Sequence, residues 1–235
     1  MIKEAIILAG GFGTRLQQVV KDVPKPMADI NNKPFLEYLF HYLARYHLKK
    51  VVLSVAYKAE IIQDYFKDSF AGIDIEYAYE REPLGTGGGI LNALKCCKTE
   101  QVLVINGDTF FNINLSELFD FHKANASQIT LCLKRIKDAG RYGKVSLDNN
   151  CLITGFAEKK AGNNEGYING GVYLMNRIVL ESLNLPLKFS FEKDFLEKYY
   201  TKLPIFGWVS NSYFIDIGIP EDYKRAQDEL GTMNI

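Results

Sequence analysis

The 235-residue sequence is short of several things that would settle its class at once. It has no charge of one sign to spare: Lys plus Arg number 28 and Asp plus Glu 28, a formal net charge of zero. A protein built to neutralise nucleic-acid phosphates carries a basic surplus. The balance therefore argues against a DNA or RNA partner, while leaving room for a local basic pocket that takes a small phosphorylated ligand. Long apolar runs are also missing. The run from Ala5 to Gly11 is too short for a membrane span and lacks a signal-peptide layout. No other stretch approaches the ~18 residues that a span needs, so no membrane partner is expected. Cys96, Cys97, Cys132 and Cys151 make no CxxC pair and stand at no metal-ligand spacing from a histidine. They read as apolar packing in a reduced, cytoplasmic protein. His41, His47 and His122 fall in helical stretches without a nucleophile partner, so a Ser–His or Cys–His triad has no support. With no Pro-rich linker, internal repeat or low-complexity block, one continuous domain over 1–235 is expected.

What is present is the composition of a globular chain, 47% hydrophobic and 24% charged. Ala5–Leu8, Val51–Val55 and Val102–Ile105 are uninterrupted apolar runs, as in strands of a parallel sheet buried on both faces. Between them lie apolar stripes at helical spacing: Phe35, Leu36, Leu39, Phe40 and Leu43 behind Pro34, then Ile61, Ile62, Tyr65 and Phe66, then Ile90, Leu91 and Leu94. Alternating strands and helices predict right-handed crossovers and an α/β layered fold. The second half changes character. Ile129–Leu133, Lys144–Leu147, Leu152–Phe156 and Gly170–Leu174 are short strand candidates separated by Asp148-Asn149-Asn150 and Gly162-Asn163-Asn164, which suggests hairpins and a mixed sheet. Glu221–Leu230 behind Pro220 predicts a closing helix.

The chemistry-bearing segments begin with Ile6–Leu16, IILAGGFGTRL. A buried strand runs into Gly10, Gly11 and Gly13, whose bare backbone N–H groups can approach an anion, with a hydroxyl at Thr14 and a guanidinium at Arg15. Alone, this is equally a tight turn with a solvated arginine. It is neither of two familiar glycine motifs: a G-x-G-x-x-G started at Gly11 would need glycine where Leu16 stands, and no window supplies G-x-x-x-x-G-K-[ST]. Pro24 and Pro26 then stiffen the chain around Lys25, holding a cation beside the glycine loop. Glu80–Gly89, EREPLGTGGG, is a second glycine cluster leading into a helix, where exposed amides favour a ligand's polar edge. Asp108, closing the strand that starts at Val102, and Asp216, in FIDIG, are acids at apolar segments next to glycine. Each alone suits a turn; together with the phosphate-type loops they suit a hard cation such as Mg²⁺. Glu158-Lys159 after Phe156, Asn169-Gly170-Gly171, and Gly143 in a loop offer the carboxylates, amides and backbone groups that hold sugar hydroxyls.

Taken in order, LAGGFGTRL, PKPM, EPLGTGGG, NGD, FAEK, NGGVY and FIDIG resemble the sugar-1-phosphate nucleotidylyltransferase family from about residue 3 to residue 228. The wording FGTRL…VPKPM…PFLEYL is most similar to its branch of D-glycero-D-manno-heptose 1-phosphate guanylyltransferases. The resemblance implies a three-layer α/β/α Rossmann-like fold with a mixed, mostly parallel sheet, a nucleotide-binding half over about 1–110 and a sugar-phosphate half over about 111–235. It also implies the reaction, GTP plus a sugar 1-phosphate giving GDP-sugar and pyrophosphate with Mg²⁺, here a GDP-heptose for a surface polysaccharide. By match to the motifs, Leu8, Gly10, Gly11, Gly13 and Thr14 would cradle the nucleotide and Arg15 the departing phosphates. Glu80, Glu82, Gly85 and Thr86 would form the base pocket. Lys25 would sit at the reacting phosphates, and Asp108 and Asp216 would hold Mg²⁺. Lys159 would bind the sugar phosphate, with Gly143, Glu158, Asn169 and Gly170 at the sugar. Where family members often carry proline after the Glu-Lys pair, Lys160 follows here, and either lysine can serve the phosphate. The chain stops soon after its closing helix, so the β-helix that bifunctional relatives append is not expected. Dimerisation is a habit of that family, so a homodimer is possible, though no interface stripe is identifiable. The same chemistry with dTTP or UTP and a hexose 1-phosphate remains the near alternative, and a non-catalytic nucleotide-sugar sensor the distant one.

Overall fold

The computed structural model describes residues 1–11, 20, 22–137, 143–157 and 165–233. In chain order the elements are β1 (Glu4–Leu8), a single 3₁₀ turn at Lys25–Met27, the short strands β2 (Asp29–Ile30) and β3 (Lys33–Pro34), α1 (Phe35–Ala44), β4 (Lys50–Val55), α2 (Ala59–Phe66), β5 (Ser69–Phe70), β6 (Ile73–Tyr79), α3 (Gly85–Leu94), β7 (Gln101–Asn106), β8 (Thr109–Phe111) and α4 (Leu115–Ala124). Then come β9 (Ile129–Ile136), β10 (Lys144–Leu147), β11 (Ile153–Ala157), β12 (Gly166–Asn176), α5 (Ile178–Glu181), a π-type turn at Phe191–Leu196, α6 (Glu197–Tyr199), β13 (Ile205–Ser210), β14 (Phe214–Asp216) and α7 (Pro220–Leu230).

One ten-stranded sheet runs through both halves. β4 and β7 flank β1 in parallel, and β6 lies parallel to β4. β12 returns antiparallel to β7 and carries β9 on its other edge. The path β1, β4, β6 moves outward in one direction, and the next connection jumps back past both to β7. Right-handed crossovers then place α1 and α2 on one face and α3 on the other, as the cores show. Alternating side chains of each strand divide between two apolar clusters. Ala5, Ile7, Val51, Leu53, Leu103 and Ile105 pack with α1, α2, α4 and α7, while Ile6, Val52, Val102 and Val104 pack with α3, α5 and the π-type turn. The crossing reversal between β1 and β7 opens a crevice at their carboxyl ends, where open α/β sheets take ligands.

The caps follow the local chemistry. α1 starts on Pro34, and α4 on Asn114, whose side chain accepts from the Ser116 and Glu117 N–H groups. α7 has Pro220 at its start and Glu221 and Asp222 in its first turn, favourable to the helix dipole. Three sequence expectations need correction. His47 lies beyond α1, in a left-handed turn at φ 56, rather than in a helix. The strand before Asp108 ends at Asn106, which leaves Gly107 and Asp108 in the turn to β8. β10 and β11 do form a hairpin across Asp148–Asn150, but β11 and β12 pair through β10 lying between them rather than with each other, and 158–164 lie outside the described residues. The outer strands β6 and β13 were not anticipated, because half of their residues alternate toward polar surroundings and break the apolar run.

Candidate active site

Four parallel strand ends build the site. β1 stops at Leu8, β4 at Val55, β6 at Tyr79 and β7 at Asn106, so Gly10-Gly11, Ala56, Glu80 and Gly107-Asp108 emerge along one edge. At the switch point the Gly107 N–H donates to the Leu8 carbonyl at 2.9 Å. A Cβ on Gly107 would stand 2.6 Å from that oxygen and 3.0 Å from the Pro26 ring. Only glycine lets the Asp108 turn press so close to the Lys25–Met27 turn.

That closeness brings a cation to a carboxylate. Lys25 Nζ lies 2.7 Å from Asp108 Oδ2, with side-chain exposures of 15% and 30%. The two-stranded pairing of β8 with β14 sets Asp216 opposite Thr109, and the Ile217 N–H donates to the Asp108 carbonyl at 3.0 Å. The Gly218 N–H donates to Asp216 Oδ1 at 2.7 Å. Burial first, then the negative charge of Asp108, pushes the Asp216 carboxyl up to about 6, against the opposing pull of Lys25 and the Gly218 N–H. With Asp216 ionised, two carboxylates face one ammonium, an arrangement short of one positive charge. Among the described residues no group of three or more His, Cys, Asp or Glu gathers as a closed metal cage. Two carboxylates with the remaining positions left to substrate phosphates is the usual donor set for Mg²⁺, so these residues fit that ion.

On the β4–β6 side, Glu80 is held firmly. Its Oε1 accepts from Ser54 Oγ at 2.9 Å and its Oε2 from the Leu84 N–H at 3.0 Å. A Cβ on Gly10 or Gly89 would meet Glu80 Oε1 at 3.0 or 2.9 Å, so both glycines make room for this carboxylate. Gly11 by contrast faces open space. Glu82 is exposed on the same turn.

The second glycine cluster has a different local purpose from the one its sequence suggests. The N–H groups of Gly87 and Gly88 donate to the Phe189 carbonyl at 3.0 and 3.4 Å instead of pointing at a ligand. A Cβ on Gly87 would lie 2.1 Å from the Phe189 ring, and one on Gly85, at φ +75, would lie 2.6 Å from the Phe189 carbonyl. The glycines are the seat on which the 187–191 segment docks. The Thr86 hydroxyl turns the same way, donating to Glu192 at 2.7 Å.

The sugar-side candidates gather at a bulge in β12, where the register with β9 shifts between Asn169 and Tyr173. Gly171 is left-handed at φ +68, and a Cβ there would meet the Asn106 amide at 2.7 Å. A Cβ on Gly170 would stand 2.6 Å from the Phe111 ring. The Asn169–Gly171 corner thus stands directly beside the Asn106–Asp108 corner. The β10–β12 register, Lys144 opposite Ile168, carries Gly143 toward Asn169. Asn106 Oδ1 is buried at this junction without a hydrogen-bond partner among the described residues. Gly13, Thr14, Arg15, Glu158, Lys159 and Lys160 lie outside the described residues. The structure therefore unites Leu8, Gly10, Lys25, Glu80, Thr86, Asp108, Asn169 and Asp216 around one edge and leaves Glu82 at its exposed rim. Sequence reasoning missed Ser54, Asn106, Tyr173 and Glu192. Asn106, inside the NGD motif, and Tyr173, closing NGGVY, carried a local signal; Ser54 and Glu192 carried none.

The profile of the nucleotidyl transferase family matches residues 4–232. A D-glycero-alpha-D-manno-heptose 1-phosphate guanylyltransferase of Campylobacter jejuni is 51% identical over 220 residues, 94% of this chain and 96% of that protein. One of Aneurinibacillus thermoaerophilus is 48% identical over 227 residues, 97% of this chain and 98% of that protein. The crystal structure of HddC from Yersinia pseudotuberculosis complexed with GMP-PN superposes with a TM-score of 0.87 at 38% identity, covering 97% of this chain and all of that one. Among the described residues no helix is long and apolar enough to cross a membrane. The chain belongs to the nucleotidyl transferase family.

Proposed function

We propose that this enzyme transfers a guanylyl group from GTP to D-glycero-α-D-manno-heptose 1-phosphate, releasing pyrophosphate and forming a GDP-heptose. The observation that carries the chemistry is the corner of Lys25, Asp108 and Asp216 at the switch point of the sheet. The choice of substrates rests on the two heptose guanylyltransferases that match nearly the whole chain at about half identity.

In this reaction a phosphate oxygen of the sugar 1-phosphate attacks the α-phosphorus in line with the departing pyrophosphate. Negative charge crowds into a small volume, and no covalent enzyme nucleophile is needed; positioning and charge neutralisation do most of the catalysis. The bare backbone at Gly10-Gly11 lets the triphosphate approach the end of β1. Lys25, held by its flanking prolines and parked on Asp108, exchanges that carboxylate for phosphate oxygens as the substrates arrive. Asp108 and Asp216 would hold Mg²⁺, which when bound neutralises phosphate charge and favours the in-line arrangement. Arg15 and Lys159 supply further cations to the departing and incoming phosphates. Asn169 and the backbone at Gly143 and Gly170 hold sugar hydroxyls, with Glu158 as their carboxylate partner. Glu80, committed to Ser54 and Leu84, shapes the base side by bracing the turn to α3, and Glu82, Gly85 and Thr86 border the base.

The test is pyrophosphate release with Mg²⁺ across GTP, ATP, CTP, UTP and dTTP, each with heptose, mannose and glucose 1-phosphates. Fast release with GTP and the heptose phosphate alone is expected. Faster turnover with another pair keeps the mechanism and replaces the substrates, and no release with any pair overturns the reading.

A further inference from the structure

Among the described residues, Glu192 is the carboxylate hydrogen-bonded toward both halves of the site. It sits in the π-type turn, whose start is capped by Ser190 Oγ accepting from the Lys193 N–H at 3.2 Å. Its Oε2 accepts from Thr86 Oγ1 at 2.7 Å and from Ser190 Oγ at 3.0 Å, and its Oε1 accepts from the Tyr173 hydroxyl at 3.2 Å. Tyr173 is fully buried, and its phenol is pushed well above its ordinary value by burial and by the Glu192 charge, so it stays protonated.

The directions of these bonds are fixed by what a carboxylate can do. Ionised, it only accepts, so all three hydroxyl protons must point at it. With its proton committed to Glu192, the Tyr173 oxygen can only accept from its other neighbour, and Asn169 Nδ2 donates to it at 2.7 Å. The Asn169 amide is thereby oriented: its Oδ1 accepts from the Gly171 N–H at 3.0 Å. One N–H and one lone pair of the amide remain for a ligand. On the other branch the Thr86 oxygen, its proton also committed, accepts from the Phe191 N–H at 2.9 Å. That bond closes the same turn against the start of α3.

We propose that Glu192 is a positioning residue, a bridge that orients the Asn169 amide through Tyr173 and fixes the Gly85–Thr86 turn directly, so that the two substrate half-sites are set by one side chain. The proposal rests on the reading of Asn169 as a sugar contact and of the Gly85–Thr86 turn as part of the nucleotide side. Thr86 and Asn169 belong to strands and helices far apart in sequence, and no other described residue is hydrogen-bonded toward both.

Two measurements test it. In steady-state pyrophosphate release, Tyr173→Phe cuts only the sugar branch and is expected to raise the sugar-phosphate KM about tenfold, the size of one lost hydrogen bond in an ordered network, with the nucleotide KM unchanged. Thr86→Val cuts the other branch and should raise the nucleotide KM alone. Glu192→Gln should raise both. Both KM values within twofold of wild type in Glu192→Gln would overturn the bridge. Hydrogen exchange on the ligand-free protein reads the same bridge without turnover. Glu192→Gln should speed exchange of the Gly87 and Gly88 amides, held by Phe189, together with that of Gly171, held by Asn169. Tyr173→Phe, the gentler change, should speed Gly171 alone. Faster exchange on only one side in Glu192→Gln refutes the bridge. If the wild type turns over no sugar phosphate, the functional reading falls, and the exchange result still decides this one.

Discussion

Asp216 stores strain that a single isosteric change should release. Its carboxyl is raised from 3.8 to about 6 by burial and by Asp108. Two units at about 1.4 kcal/mol each make the ionised form about 3 kcal/mol less stable in the folded protein than in the unfolded chain. The raised value already includes the favourable pull of Lys25 and the Gly218 N–H. The sign follows from proton linkage: a carboxyl that binds its proton more tightly when folded contributes full stability below about pH 4 and loses it as pH rises through about 6. Asp216→Asn removes the charge and keeps an oxygen for the Gly218 N–H. Allowing for an imperfectly paired amide N–H, the variant should be more stable than wild type by about 1–3 kcal/mol at pH 7.5. For a chain of this size that is a rise of several degrees in Tm, at about 2–4 °C per kcal/mol. The assay is thermal unfolding with chelator present, followed by far-UV circular dichroism and by the fluorescence of Trp208, the single tryptophan, from pH 4.5 to 7.5. The gap between variant and wild type should widen as pH rises and level off above about 6. Adding Mg²⁺ should raise the wild-type Tm and leave the variant's nearly unmoved, and turnover in the variant should collapse. A variant no more stable than wild type at pH 7.5, or a gap that does not vary with pH, would refute the electrostatic account of this corner.

Lys25→Ala should lower kcat by about 10²–10³-fold, the loss typical of one preorganised charge at a reacting phosphate, without unfolding the protein, since its partner Asp108 is 30% exposed. Near-native rates by pyrophosphate release would remove Lys25 from the chemistry. Gly87→Ala places a methyl 2.1 Å from the Phe189 ring, and the overpacking should cost about 1–3 kcal/mol by urea unfolding; Phe189→Leu in the same chain should recover part of it. His122, buried between Thr130 and Asn176, is pushed below its ordinary 6.5 by desolvation. Its folded form resists protonation, so it costs stability as pH falls below about 6.5, and His122→Gln should flatten the acid side of the stability profile.

The parts of the site that could be read from the sequence are those whose reason is local. Uninterrupted apolar runs at Ala5–Leu8, Val51–Val55 and Val102–Ile105 are strands because a central parallel strand is buried on both faces. Asp108 and Asp216 are legible because each adjoins an apolar segment and lies within two residues of a glycine that its turn requires. Lys25 is legible because two prolines fix its backbone. The three-residue pairing of β8 with β14, which brings the two acids together, leaves no comparable trace, since three residues carry too little periodicity. The same holds for β6, whose outward residues Asp74 and Glu76 interrupt its apolar face.

The glycines of GTGGG mark the limit of such reading. A run of glycines announces that something comes close, without saying what. An anion held by bare amides and an aromatic ring seated on bare backbone leave the same sequence. Here the ring of Phe189 takes the seat, about a hundred positions along the chain, and the next turn carries Glu192 onto Thr86. The two observations are linked. Close seating of 187–191 on α3 is what allows Glu192 to reach both Thr86 and Tyr173, so the glycines act on the site through the segment they admit. Nothing in the local sequence around Glu192 announces that reach.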